Sequence, residues 1–257
     1  MKKWLLIISF AFAACNNNAG TIDKKTDSLE QDGTDMQDTL PIIKDSSVFN
    51  NAIANPNGIY QVFLPCTDCK SLQHTIAFYA NKTFRLEEEK WGAQNVLTKT
   101  SGTWALSNNI ISLYKEQLLV SQYKWDGNKL SYIQKDKQHT LNKVAFAGEN
   151  EVWSKKKDEG IEFFGVGNEP FWNIEIDEQK QILFQLADWG KPLAFKPTKP
   201  SLAGDSMVYK TSNDSGLLQV VIYNRFCSDG MSDFVYNNKV TVSYRGNIFN
   251  GCGLSYK

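Results

Sequence analysis

Thr83-Phe84-Arg85-Leu86-Glu87 alternates polar and apolar side chains one for one. Successive side chains of an extended chain point to opposite faces, so Phe84 and Leu86 share one face while Arg85 and Glu87 share the other. An amphipathic helix would repeat its apolar residues at three and four positions instead. The stretch therefore predicts a half-buried strand, entered through the turn residues Ala80-Asn81-Lys82.

The same grammar extends in both directions. Short runs rich in β-branched and aromatic residues predict strands at 58–63, 74–79, 83–89, 102–105, 110–114, 118–125 and 129–134. Ser107-Asn108-Asn109 and Asp126-Gly127-Asn128 mark hairpins between them. A second set is expected at 161–166, 171–176, 181–186, 193–195, 207–210, 217–223, 239–244 and 247–249, with a long connection over 224–238 and a tight hairpin at Arg245-Gly246-Asn247. No strand alternates with a helical period, which excludes a doubly wound α/β fold. The class is all-β, with two small antiparallel barrel-like domains at 55–147 and 160–257 and a charged, solvated linker at 148–159 that carries Lys155-Lys156-Lys157.

The N-terminal end has a different character. Met1-Lys2-Lys3 is followed by an apolar run from Trp4 to Ala14, too short to span a bilayer, and then by Cys15. Small residues directly before a cysteine are the mark of a lipoprotein signal, so residues 1–14 read as a signal peptide and Cys15 as the lipidated first residue of the mature chain. Phe12 stands where Leu is usual. Each buried methylene of an acyl chain stabilises membrane association by about 0.8 kcal/mol, and more than one chain, palmitate included, makes the anchor stable. Asn16 rather than Asp follows Cys15, which favours the outer membrane, with the protein facing the periplasm or the cell surface. Residues 15–54 are polar, with seven acids against three lysines, the composition of a disordered, self-repelling acidic tether.

The whole chain of 257 residues carries 28 basic and 28 acidic side chains. A balanced charge offers no electrostatic footprint for nucleic acid. Five cysteines are present, and with Cys15 reserved for lipid four remain. Export makes disulfides their default state. Four cysteines permit three connectivities, and one pair in each half of the chain favours Cys66 with Cys69 and Cys227 with Cys252.

Leu64-Pro65-Cys66-Thr67-Asp68-Cys69 is the sharpest motif. A disulfide across so short a loop stabilises by only about 2 kcal/mol on the chain-entropy model, so stability alone explains it poorly. Cys66 and Cys69 are also candidates for a reversible redox pair or a metal site: two thiolates on one turn are soft donors suited to copper(I). They are too few for zinc, and His74 and His139 have no ligand-like spacing and read as strand residues.

Gly58-Ile59-Tyr60, the Leu64–Cys69 motif, Phe84, Gly102-Thr103-Trp104 and Ile111-Ser112-Leu113 together resemble the N-terminal domain of the NlpE copper-resistance lipoproteins over about residues 55–146. The resemblance implies a lipocalin-like barrel on an outer-membrane lipoprotein tied to copper tolerance, surface sensing and envelope-stress signalling. The family has Ala and Gly where this chain has Thr67 and Ser71, and the region after residue 150 does not look like the second domain of the stress-sensing members. Barrel and anchor thus carry over more readily than the signalling partner.

Gly165-Val166-Gly167-Asn168-Glu169-Pro170-Phe171-Trp172, Asp229-Gly230-Met231-Ser232-Asp233 and Gly251-Cys252-Gly253 resemble an uncharacterised envelope β-domain of bacterial lipoproteins over about residues 160–256. That family supplies no activity. Glu169, Asp229 and Asp233 form a candidate polar pocket. Paired carboxylates can cleave glycosides, but acids in such turns more often cap backbone donors. There is no dinucleotide fingerprint, P-loop or nucleophile elbow, so no catalytic residue is assigned. The expected function is a non-enzymatic binding or sensing module of the envelope, reading copper or redox state at Cys66 and Cys69 with an envelope-stress signalling protein as partner. The alternative is a barrel scaffold for a small apolar ligand, a lipid or a protein, with purely structural disulfides.

Overall fold

Eight strands follow one another as an antiparallel meander: β1 (Gly58–Leu64), β2 (Ser71–Phe78), β3 (Thr83–Trp91), β4 (Val96–Ser107), β5 (Ile110–Lys115), β6 (Leu118–Trp125), β7 (Leu130–Gln134) and β8 (Lys137–Phe146). The last returns to the first, placing Val144 opposite Ile59 and Asn142 opposite Gln61, so the sheet closes into a barrel. Closure removes the exposed edges that an open meander would leave. The computed structural model describes residues 55–92, 96–134 and 137–256. The signal segment, Cys15 and the whole tether lie outside the described residues.

Phe84 and Leu86 point into this barrel as their alternation predicts, and Tyr60, Ile76, Phe78, Trp104, Ile111, Leu113, Tyr123 and Trp125 fill the rest of its interior. Phe78 meets Trp104 edge-on at 5.7 Å and Tyr123 at 6.0 Å, so the centre is occupied by aromatic rings. β8 is absent from the expected strands. Its residues are mostly polar and only Leu141 is buried, so it carries no periodic signal of its own. It is a strand because β7 and β1 each leave an edge for it to pair with.

After a single 3-10 turn, residues within the segment expected to be a linker form helix α1 (Glu151–Asp158). Asn150 caps it, its side-chain oxygen accepting from the Val152 N–H at 2.9 Å. Trp153 is buried against Phe164 at 4.8 Å and Tyr236 at 5.0 Å. Within the lysine run, Lys156 bonds Glu175 at 2.8 Å and Glu159 at 3.2 Å. Those bonds, with Glu175 the stronger influence, hold its ammonium above its ordinary pKa.

The second half forms an open nine-stranded sheet from β9 (Phe163–Asn168), β10 (Phe171–Asp177), β11 (Gln181–Leu186), β12 (Leu193–Phe195), β13 (Ser201–Ala203), β14 (Ser206–Asn213), β15 (Gly216–Tyr223), β18 (Asn238–Tyr244) and β19 (Asn247–Ser255). Their order is 12-11-10-9-19-18-15-14-13. The sheet curls into a half-barrel: Thr211 and Asn213 of β14 donate side-chain hydrogen bonds to the carbonyls of Lys196 and Ala194 at the opposite edge. Trp172, Ile174, Ile176, Phe184, Val220, Val240 and Val242 line the hollow of the curl and form its core.

Two further short strands link the barrel sheet to the second half. β16 (Cys227–Ser228) and β17 (Phe234–Tyr236) arise inside the connection expected over 224–238. β17 pairs with β8, parallel, placing Phe234 opposite Ala145 and Val235 opposite Phe146. The ten-stranded sheet thus runs from β1 through β8 to β17 and β16, with one parallel pairing in an otherwise antiparallel arrangement. Ile59, Ala77 and Val235 make a small core under this join, flanked by Phe146 and Phe226. The described residues belong to one compact unit.

Candidate functional site

Cys66 and Cys69 lie on the loop between β1 and β2 and are joined as a disulfide, with Cα atoms 5.3 Å apart. The loop projects from the barrel, and Pro65, Thr67, Asp68 and Lys70 are all exposed. Two bonds tie it to the end of β3. Asp68 accepts from the Lys90 ammonium at 2.6 Å, and the Lys70 N–H donates to the Trp91 carbonyl at 2.7 Å. The Lys90 bond holds the Asp68 carboxyl below the ordinary aspartate range. Ligand atoms of Cys66, Asp68 and Cys69 lie within 4.8 Å of one another, the single such trio among the described residues. A disulfide sulfur is no thiolate, so these residues fit a metal only after two-electron reduction. They would then offer two soft sulfurs suited to copper(I) and one carboxylate oxygen already shared with Lys90.

His74 does not join them. It is buried, its ring stacked on Tyr132 at 4.7 Å. Burial holds the Tyr123 phenol well above its ordinary pKa, and its hydroxyl shares a hydrogen bond with Nε2 of His74 at 2.8 Å. Nδ1 of His74 is hydrogen-bonded to the Glu88 carboxylate at 2.9 Å. Both ring nitrogens are satisfied structurally. His139 sits on β8 opposite Tyr132.

A cleft of about 780 Å³ opens where the outer face of β2 and β3 meets the second sheet. Asn250, Gly251 and Cys252 of β19, with Gly167, Asn168 and Glu169 leading into β10, form its other side. Cys227 and Cys252, joined as a disulfide with Cα atoms 5.5 Å apart, lie in its wall. Glu169 and Asp229 both line it, whereas Asp233 does not. The Asp229 carboxylate is engaged by the N–H groups of Met231 and Ser232 at 3.0 and 2.8 Å, the Ser232 hydroxyl at 2.9 Å and the Tyr236 hydroxyl at 3.0 Å. Burial raises its pKa, but these four donors outweigh burial and the net shift is downward. Asp229 is therefore a turn-closing anion. Glu169, exposed and followed by a cis peptide to Pro170, has no hydrogen-bond or ion-pair partner among the described residues.

Trp91, Arg225, Lys239 and Asn250 also line the cleft and carried no signal in the sequence. They come from four separate segments, and nothing short of the tertiary fold brings them together. The Gly251-Cys252-Gly253 and Gly167 motif residues do have a local reason. A Cβ on Gly251 would lie 2.0 Å from the Val166 carbonyl oxygen, and one on Gly167 would lie 2.1 Å from the Trp172 indole nitrogen. Trp172 is buried under this bare backbone floor, and its Nε1–H has no partner among the described residues.

Fold and site define a class: a closed eight-stranded β-barrel bearing an exposed disulfide loop, joined through two added strands to a β half-barrel. Residues 60–142 match the family model described as the NlpE N-terminal domain. Among solved structures, a candidate lipoprotein from Shewanella oneidensis shares 23% identity, covering 36% of this chain and 92% of its own, with a TM-score of 0.30. The Cpx pathway activator NlpE from Escherichia coli shares 13% identity, covering 77% of this chain and 94% of its own, with a TM-score of 0.28. No curated protein matches the chain.

Proposed function

We propose that the protein is a cell-envelope lipoprotein, anchored at the outer membrane through Cys15, that acts as a non-enzymatic sensing module reading redox state or copper at Cys66 and Cys69. The observation that carries this reading is the half-buried Cys66–Cys69 disulfide, flanked by exposed residues on a loop within the segment that matches the NlpE N-terminal domain. A short-loop disulfide of this kind adds little stability and is accessible to thiols. Once reduced, it would offer two soft sulfurs beside the Asp68 carboxylate. Filling of the barrel interior by aromatic rings weighs against an apolar ligand inside the barrel.

The deciding experiment is the Cys66→Ser, Cys69→Ser double variant, which should fold and reach the envelope but lose copper tolerance or envelope-stress signalling. Unchanged phenotypes under both copper and thiol stress overturn the reading. Mass spectrometry of the reduced protein with copper(I) separates the two signals: stoichiometric metal supports copper, and reversible thiol exchange without metal supports redox state. The anchor is tested separately by Cys15→Ser, which should abolish acylation and release the chain from the membrane.

A further inference from the structure

We infer that the cleft between the barrel and the half-barrel is a saccharide-binding site. This rests on the cleft alone and stands whatever happens at Cys66 and Cys69.

Charge comes first. Arg225 is neutralised by Glu89 at 2.5 Å. Asp229 is enclosed by its own turn, which leaves one ammonium, Lys239, and one carboxylate, Glu169, without ion-pair partners among the described residues. One unpaired charge of each sign makes no field that would select a phosphate, a nucleic acid or a metal ion. The ligand that fits is neutral and polar.

Hydrogen-bonding capacity comes next. Asn168 gives its amide N–H to the Asp229 carbonyl at 3.0 Å, and Asn250 uses its amide oxygen to accept from Thr241 at 3.1 Å. Each amide is thereby oriented, and each keeps its other half unpartnered: an acceptor on Asn168 and a donor on Asn250. With the Glu169 acceptor and the Lys239 donor, the cleft presents groups of both kinds, two of them fixed amides. Hydroxyl groups can donate and accept at once, so a polyhydroxylated ligand can satisfy all four. Preoriented groups lose little freedom on binding.

Trp91 supplies the apolar surface that sugar C–H faces stack on. It is 46% exposed at the end of β3, braced edge-on by Phe63 at 6.5 Å. The main rival is an extended peptide added to a sheet edge. The floor offers no such edge, because β9 lies between β10 and β19, and β19 lies between β9 and β18; the edge strand in the wall, β16, is two residues long, too short to template an added strand.

The test is calorimetric titration of the full-length protein in detergent with cellotetraose, chitotetraose and mannotetraose, beside a tetra-alanine peptide. At least one sugar should bind saturably. Trp91→Ala and Glu169→Ala, both at exposed positions that leave the core intact, should each weaken it ten-fold or more. Circular dichroism of the variants checks that the fold is retained. Absence of saturable binding by all three sugars overturns the inference, as does binding that neither substitution weakens. Peptide binding abolished by the same substitutions, with no sugar binding, overturns it in favour of a peptide site.

Discussion

Glu87 holds Arg85 with one carboxylate oxygen and the backbone of Phe226 with the other. Nε and Nη2 of Arg85 donate to Oε1 at 2.9 and 2.5 Å, and the Phe226 N–H donates to Oε2 at 3.0 Å. Nη1 of Arg85 donates to the Asn237 carbonyl at 3.1 Å, and its guanidinium stacks on the Phe226 ring at 4.0 Å. This pair on the outer face of β3 clamps the connection that carries β16 and β17. Both side chains are largely dehydrated, with 14% and 5% of their surface exposed.

Removing one partner of such a pair strands the other charge. Glu87→Ala should therefore destabilise the protein by about 3–5 kcal/mol, read as a lower urea midpoint. Substituting the exposed Lys90, which bonds Asp68 at the surface, should shift the midpoint by less than about 1 kcal/mol. Equal effects from the two substitutions would contradict the clamp.

Gly251→Ala forces a methyl against the Val166 carbonyl and the Trp172 ring, neither of which can swing away, and should cost about 1–3 kcal/mol. Gly190→Ala, where a Cβ meets nothing within 4 Å, is the control and should be close to neutral in the same thermal melt.

The two disulfides should differ in their effect on stability. Cys227–Cys252 closes a loop of sequence separation 25, and on the chain-entropy model its removal by paired serines should lower stability by about 3–4 kcal/mol. Paired serines at 66 and 69, across a separation of 3, should lower it by no more than about 2 kcal/mol. Chemical denaturation of the two double variants beside the parent decides the ranking.

Acid should weaken the fold through Asp177 and Asp229. Burial alone would raise both carboxyls. The Lys180 ammonium with the Gln179 and Lys180 N–H groups outweighs it at Asp177, and the Ser232 and Met231 N–H groups outweigh it at Asp229, so both lie below the ordinary value of 3.8. A depressed folded pKa means stability that is present above the unfolded value and lost as pH falls through the folded one. Melting temperature should thus decline mainly below about pH 4, and Asp229→Asn should flatten that decline while lowering the neutral-pH value. A decline unaffected by Asp229→Asn would refute the assignment.

The inward faces of the strands were legible in the chain. Phe84 and Leu86 point into the barrel, and the hairpin turns at Asn108-Asn109 and Arg245-Gly246 fall where turn chemistry puts them, with Asn108, Asn109, Arg245 and Gly246 all at positive φ. Helix α1 was not legible: seven of its eight residues are polar or exposed, and its single anchor, Trp153, has meaning only against Phe164 and Tyr236. Glu169 and Asp229 were singled out together and do share a cleft, but only the structure separates the turn-closing acid from the free one.

Local alternation, turn residues and cysteine placement determined by themselves that this chain is all-β, where most of its strands lie and which face of each turns inward, because those depend on the two-residue period of an extended backbone. The outward face of β3 was decided elsewhere. Arg85, Glu87 and Glu89 look like solvated charges in sequence, yet each is consumed by residues 225–237, far along the chain. A charged side chain carries no mark of whether water or a distant backbone will satisfy it, so the junction and the cleft exist only once the two halves have met.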